Sequence, residues 1–190
     1  MQLLDLLQQR ASHPARLLDE PAPSDEQLHE IVKAGLTAPD HAALTPWRFI
    51  IIRGEARVRL GEIFATATAA REPNLSAEKV AGQRSKPLRS PLLLAVVTTV
   101  TPEHPKTPVI EQFLSTGAAA QMMQLAANAM GFGSIWLSGP NCFDPNVKAA
   151  LGIADKDELS GFLYLGTPTA DKPPPRRPEV TDHLSEWTGA

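Results

Sequence analysis

Arg10 and Ser12 place a guanidinium and a hydroxyl close together near the start of the chain. Such a pair suits a phosphate, because a guanidinium donates two parallel charge-assisted bonds to an oxyanion. A second stretch, Ala38-Pro39-Asp40-His41-Ala42-Ala43-Leu44-Thr45-Pro46-Trp47, sets a carboxylate beside an imidazole. Its two prolines and its Trp shape a rigid loop between a helical and a strand pattern, and loops on rigid scaffolds often carry function. A third, Gly131-Phe132-Gly133-Ser134, is glycine-rich like a phosphate loop but sits in the opposite context. It follows a helix pattern and precedes a strand, whereas a dinucleotide fingerprint follows a strand and opens a helix.

Each stretch also has an ordinary explanation, and residue type and spacing alone favour it. Arg10 can be a solvated cation and Ser12 a helix-ending residue. Asp40 can hold an Asx-type turn with His41 at the surface. Trp47 can anchor a core at the start of a strand. The glycines can cap a helix and turn the chain, or let the backbone approach a planar ligand. Cys142 has no basic neighbour in sequence to lower its pKa and reads as structural. His13, His29, His104 and His183 show no metal-ligand spacing. No hydrolase triad or P-loop emerges.

The elements that must position these residues follow from pattern. Leu3, Leu4, Leu6 and Leu7 form a short helical stripe ending near Arg10. Ser24-Asp25-Glu26-Gln27 is a capping box, followed by Leu28, Ile31, Val32 and Leu36 at helical spacing and stopped by Pro39. Arg48 to Arg53 reads as a strand buried in its centre. A helix is expected over 55–70, with Val58, Leu60, Ile63 and Phe64 as its contacts. The segment 72–89 is polar and irregular, with a helix starting at Ser76. A second buried strand spans Leu92 to Val97, and Thr101 to Pro108 is a loop. Ile110 to Met130 is a long helix rich in small residues, capped by Gly131. Ser134 to Leu137 is a strand, Asp144-Pro145 opens a helix that closes at Gly152, and Gly161 to Gly166 is a strand. Prolines 168, 173, 174, 175 and 178 mark an extended tail. Helices and strands intermix without a βαβ rhythm, so the fold class is α+β.

At 190 residues the chain is read as one domain, 1–190, with a proline-rich tail from about 168. It is 43% hydrophobic and 21% charged, as soluble globular proteins are, and its net charge of −3 offers no basic footprint for nucleic acid. One cysteine rules out an internal disulfide. No apolar run is long enough to span a bilayer, and no signal-peptide pattern opens the chain, so a cytoplasmic location is expected.

Five motifs, taken together and in order, resemble those of the nitroreductase family of FMN flavoproteins, in particular its small NAD(P)H nitroreductase branch. They are Gln9-Arg10-Ala11-Ser12; Glu20-Pro21-Ala22-Pro23; Ala38-Pro39-Asp40-His41 with Pro46-Trp47; Gly131-Phe132-Gly133-Ser134-Ile135-Trp136-Leu137-Ser138-Gly139; and Gly161-Phe162-Leu163-Tyr164-Leu165-Gly166-Thr167-Pro168. The resemblance runs from Leu3 to about Pro168. It implies an α+β homodimer with a central mixed β-sheet flanked by helices and with FMN at the subunit interface. Arg10, Ala11 and Ser12 would hold the ribityl phosphate, Thr37 and His41 would contact FMN, and Trp136, Leu137 and Ser138 would run along the flavin. Ala126, Ala127, Asn128, Ala129, Met130 and Gly131 match a nicotinamide-nucleotide contact. The implied activity is ping-pong transfer of reducing equivalents from NADH or NADPH, through flavin N5, to nitroaromatic or quinone-like acceptors, with no catalytic side chain of the protein's own.

The chain departs from the pattern at Ala11 and Thr37, where relatives carry Arg, and His13-Pro14 resembles a small insertion. Arg16 is a candidate to restore charge. Dehalogenation or desaturation on the same scaffold, a non-catalytic FMN-binding module and a structural interaction domain are the alternatives. The small residues of Gly117-Ala118-Ala119-Ala120 and Ala126-Ala127 suggest that the long helix packs closely, at a dimer interface or simply as a helix-favouring run.

Overall fold

The computed structural model describes residues 3–170 and 176–189. Its spine is β3 (Leu92–Thr98), which lies between β2 (Trp47–Arg53) and β5 (Glu158–Pro168). β4 (Gly133–Leu137) pairs with β5 from Gly133↔Gly166 to Leu137↔Phe162, and the two-residue β1 (Leu18–Asp19) pairs with the end of β5. Every pairing in this five-stranded sheet is antiparallel. The expected mixed sheet is therefore corrected: no two neighbouring described strands run the same way.

β3 is buried from end to end, because both faces of the sheet are covered. Leu93, Ala95 and Val97 face one core with Leu60 and Phe64 of α3 (Glu55–Arg71). Leu92, Leu94 and Val96 face the other, with Leu28 and Ile31 of α2 (Asp25–Gly35) and Ala120 and Met123 of α5 (Val109–Ala129). A strand covered on both faces reads as a continuous apolar run. β2 carries a similar run but lies at the sheet edge, and Ile51 in its centre is 46% exposed. The expected buried centre of β2 is thus corrected, since position in the sheet, not the run itself, sets burial. Val58, expected to make an apolar contact, is also exposed.

Local signals place the helices. The Ser24 hydroxyl accepts from the Gln27 amide at 3.2 Å, and the Gln27 side chain accepts from the Ser24 amide at 2.9 Å, closing the capping box. Ser76 caps α4 (Ala77–Arg84), and Asp144 accepts from Asn146 N to start α6 (Pro145–Ala150). α2 and α5 meet where α2 offers Gly35: a Cβ there would stand 2.7 Å from Met123 Cγ. Gly35 of α2 and Ala119 of α5 thus serve a close helix contact inside the chain. α1 (Leu3–Gln9) buries no residue; Leu3, Leu4 and Leu7 are exposed, as are Ile110 and Leu114 on the first turns of α5.

The 38–47 loop is held as expected of a rigid segment. Ala42, Ala43 and Thr45 adopt φ of 66°, 52° and 47°, a region that non-glycine residues enter at a cost. The loop is pinned by Thr45 N donating to Asp40 Oδ2 at 2.6 Å and by the Thr116 hydroxyl and Thr99 amide donating to Pro46 O. Pro168 belongs to β5 and not to the tail. The expected extension at Pro173, Pro174 and Pro175 lies outside the described residues, while 176–189 are exposed and irregular apart from one short turn. No described helix is long and apolar enough to cross a membrane.

α3 and α4 touch backbone to side at Gly61, where an added Cβ would stand 2.2 Å from Arg84 O. A carbonyl in that position cannot rotate away as a side chain would. Gly61→Ala is expected to lower the stability of the protein by about 1–3 kcal/mol, read as a lower urea midpoint. An unchanged midpoint would show that α4 is free to move off α3.

Candidate functional site

The chain leaves α1 at Arg10, and Arg10 Nη1 donates to Ser12 Oγ at 3.3 Å. The two groups expected to hold an oxyanion thus share one place. His13 N donates to Ser134 O at 2.9 Å, which fixes this loop beside the start of β4. Ala11 contributes no side-chain donor. A second guanidinium arrives from the far end of the chain: Arg177 donates to Gln8 O at 3.2 Å and to Arg10 O. Sequence reading pointed to Arg16 for that charge and missed Arg177, whose proline-rich surroundings gave no hint that it folds back.

β4 ends in Trp136, Leu137 and Ser138. Trp136 lies along α5, close enough that a Cβ on Gly117 would sit 3.7 Å from its ring. Its indole N–H is buried and has no acceptor among the described residues. Gly161 of β5 makes room for this ring and for the β4 backbone. It adopts φ of 143°, next to a register shift between Val96 and Val97, and a Cβ there would stand 2.5 Å from Trp136 Nε1 and 2.7 Å from Leu137 O. Ser138 is exposed and borders two cavities. The larger, about 710 Å³, is shared with Trp136, Phe113, Phe143 and Ser160. The smaller, about 120 Å³, is shared with Leu137, Lys86 and Arg89.

Thr37 and His41 form a separate group. The Thr37 hydroxyl donates to Ala34 O at 2.7 Å at the end of α2. His41 Nδ1 meets Glu111 Oε2 at 2.6 Å on the first turn of α5. Asp40 points elsewhere, accepting from Thr45 N, so Asp40 and His41 do not form an acid-base pair. Neither Thr37 nor His41 hydrogen-bonds to Arg10 or to β4 among the described residues. The loop of His41 is tied through Pro46 to Thr99, just past the end of β3. Ser134, which holds the Arg10 loop, pairs with Leu165 opposite Leu92 at the start of β3, so the chain presents two part-sites at opposite ends of the sheet.

The segment Ala126 to Gly131 ends α5. Ala127 is fully buried in the core, and the carbonyls of Ala126, Ala127 and Asn128 accept capping bonds from Met130, Gly131 and Phe132. Ala129, Met130 and Gly131 are its exposed members.

Electrostatics single out the smaller cavity. Burial, with the charges of Arg89 and Arg71 close by, holds the Lys86 pKa below the ordinary lysine value. Burial raises Cys142, and pushes Tyr164 up to about 12. Both therefore stay protonated at neutral pH, and Cys142, 2% exposed, is a core residue. Sequence reading missed Lys86 and Arg89 because they fall in a segment without periodicity. The signal was their spacing of three in Lys86-Pro87-Leu88-Arg89, which a 3₁₀ turn places on one side.

Comparison with known proteins supplies the context. The chain is 44% identical over 169 residues to the Escherichia coli (strain K12) protein named "Putative NAD(P)H nitroreductase YdjA", covering 88% of this chain and 89% of that one. The crystal structure of the nitroreductase-like family protein from Bacillus cereus superposes with a TM-score of 0.84 at 21% identity, over 100% of this chain and 97% of that chain. A nitroreductase from Bacteroides fragilis NCTC 9343, crystallised with bound FMN, superposes with a TM-score of 0.73 at 20% identity and 97% coverage of each. The nitroreductase family pattern matches residues 7–167, and with that span and the identity to YdjA, the chain belongs to the nitroreductase family.

Proposed function

We propose that this protein is an FMN-dependent oxidoreductase that takes electrons from NADH or NADPH and passes them to nitroaromatic or quinone-like acceptors. The observation that carries the reading is the pairing of Arg10 with Ser12 beside β4, whose buried Trp136 N–H lacks an acceptor. A buried donor without a partner is costly, and a ligand rich in acceptors would relieve it. FMN, when bound, supplies two-electron chemistry at its N5 position.

The chain's own residues bind and orient. Arg10 and the Ser12 hydroxyl, with Arg177 close by, suit a dianionic phosphate. The Ala11 amide adds a backbone donor in place of a second side-chain cation. Trp136, Leu137 and Ser138 border the flavin, and Ala129 to Gly131 are the exposed part of the segment suggested for the nicotinamide nucleotide. Thr37 and His41 lie apart from Arg10 within one chain, which favours a homodimer in which Thr37 of the partner subunit and His41 of the partner subunit complete each site. The exposed Leu3, Leu4, Leu7, Ile110 and Leu114 are the surface such a dimer would cover. With donor and acceptor using one cleft in turn, ping-pong kinetics are expected.

The purified protein, supplied with FMN if needed, should show a flavin spectrum that bleaches when NADPH or NADH is added without oxygen. A spectrum that stays oxidised with both donors would overturn the reductase reading, and failure to take up FMN would overturn the cofactor.

Arg10→Ala should weaken FMN binding roughly tenfold or more, the worth of a hydrogen bond to a charged group, with the urea midpoint unchanged. Equal affinity in a fluorescence titration would remove Arg10 from the phosphate site.

Sedimentation velocity at micromolar concentration should give a species of twice the chain mass. A monomer at that concentration would mean that each site is built from one chain, and that Thr37 and His41 play no part in it.

A further inference from the structure

Arg71 is the last residue of α3, and its guanidinium reaches a turn that begins 70 positions further along the chain. Nη1 donates to Asp144 Oδ2 at 2.7 Å, and Nη2 donates to Asn141 Oδ1 at 3.1 Å and to the Thr68 hydroxyl at 3.3 Å. The Thr68 hydroxyl donates in turn to Asn141 Oδ1 at 3.2 Å. The other carboxylate oxygen of Asp144 accepts from Asn146 N at 2.9 Å and starts α6. Thr68, Asn141 and Asp144 are all buried. Glu72, 3.9 Å from Arg71 Nε, is half exposed and adds little.

Cohesion alone does not call for such a network. Apolar side chains of similar volume would hold α3 against the turn as well, because burying charges and hydroxyls is expensive. What a guanidinium adds is direction, since its donors lie in one plane and accept few arrangements of their acceptors. The acceptors here grip one turn from both sides. Asn141 lies on the 3₁₀ turn Pro140–Cys142, and Asp144 lies just beyond it. The turn is closed on itself by Cys142 N donating to Gly139 O at 2.8 Å and by Phe143 N donating to Pro140 O at 3.2 Å. The pairing of β4 ends at Leu137. Ser138 and Gly139 therefore lie beyond the paired strand, between it and the clamped turn.

We propose that Arg71 is a positioning residue: through Asn141 and Asp144 it holds the turn 139–143, and with it the rim of the cleft at Ser138. The consequence for FMN rests on the oxidoreductase reading, whereas the clamp on the turn does not.

The test has two arms. Cys142, the one cysteine of the chain and buried in the clamped turn, reports on the clamp without any cofactor. In FMN-free protein, its alkylation by iodoacetamide should be slow in the wild type. In Arg71→Met it should be roughly tenfold faster or more, the worth of a hydrogen bond to a charged group. That rate should hardly rise with low urea, because opening one turn exposes little surface. Arg71→Lys keeps a charge beside Asp144 and loses the planar fork, and it should fall between the two.

In the second arm FMN affinity is titrated by fluorescence. It should fall roughly fivefold or more in Arg71→Met and recover in part in Arg71→Lys. Ile31→Val, in the core on the opposite face of the sheet, lowers the stability of the fold without touching the turn, and it should leave the affinity as it is. Alkylation no faster in Arg71→Met than in the wild type would overturn the clamp. Faster alkylation with unchanged FMN affinity would overturn the positioning role, and so would an equal loss of affinity in Ile31→Val. If Arg71→Met does not fold, Arg71→Lys carries both comparisons, with smaller changes of the same sign. If the wild type takes up no FMN, the cofactor reading fails, and the alkylation still decides the clamp.

Discussion

Three of the other four described strands are hung on β5. It pairs with β3 along most of its length, with β4 on its other side and with β1 at its end. Three elements that are far apart in sequence thereby converge on one strand, and the loop carrying Arg10 and Ser12 is tied to β4 through Ser134. The constraint within this arrangement is Gly161. The strand changes register there, and Trp136 and the Leu137 carbonyl occupy the volume that any side chain would fill. The place of Trp136, and with it the shape of the cleft beside Ser138, follows from a missing Cβ on a different strand.

The same logic explains which parts were legible in sequence. Leu92 to Val97 read correctly as a buried strand because both faces are covered, so every residue carries the signal. The capping box at Ser24 read correctly because its bonds span only three residues. Phe49 to Ile52 misled because an apolar run does not reveal that its strand is an edge. The closeness of Arg10 and Ser12 was legible from their spacing, whereas the place of Arg177 was not, since its contact with Arg10 spans 167 positions. Lys86 and Arg89 fell between these cases. Their spacing was visible, but its meaning depended on a 3₁₀ turn in a segment with no hydrophobic period.

Small residues have a local meaning here that composition could not assign. The glycine and alanines of α5 were equally consistent with a dimer interface and with a run that simply favours a helix. Gly35 against Met123 and Ala119 places one such close contact within the chain. The large apolar residues that α5 leaves most exposed are on its first turns, Ile110 and Leu114.

How much that exposed part could contribute is a matter of magnitude. Fully burying a side chain such as Leu contributes about 1.5–3 kcal/mol. Leu3, Leu4, Leu7, Ile110 and Leu114 are already partly covered at 44–71% exposure, so together they offer on the order of 5 kcal/mol. Association costs an estimated 4–15 kcal/mol in lost motion, so this patch alone would leave a dimer marginal. A stable dimer needs further contacts, and the two separated part-sites suggest where they arise. A ligand held by Arg10 of one chain and by His41 of the partner subunit would bind the dimer and not the monomer, and would stabilise association by linkage. On this accounting cofactor and partner are coupled: a weaker phosphate site, such as Ala11 suggests, would loosen the dimer as well as the ligand.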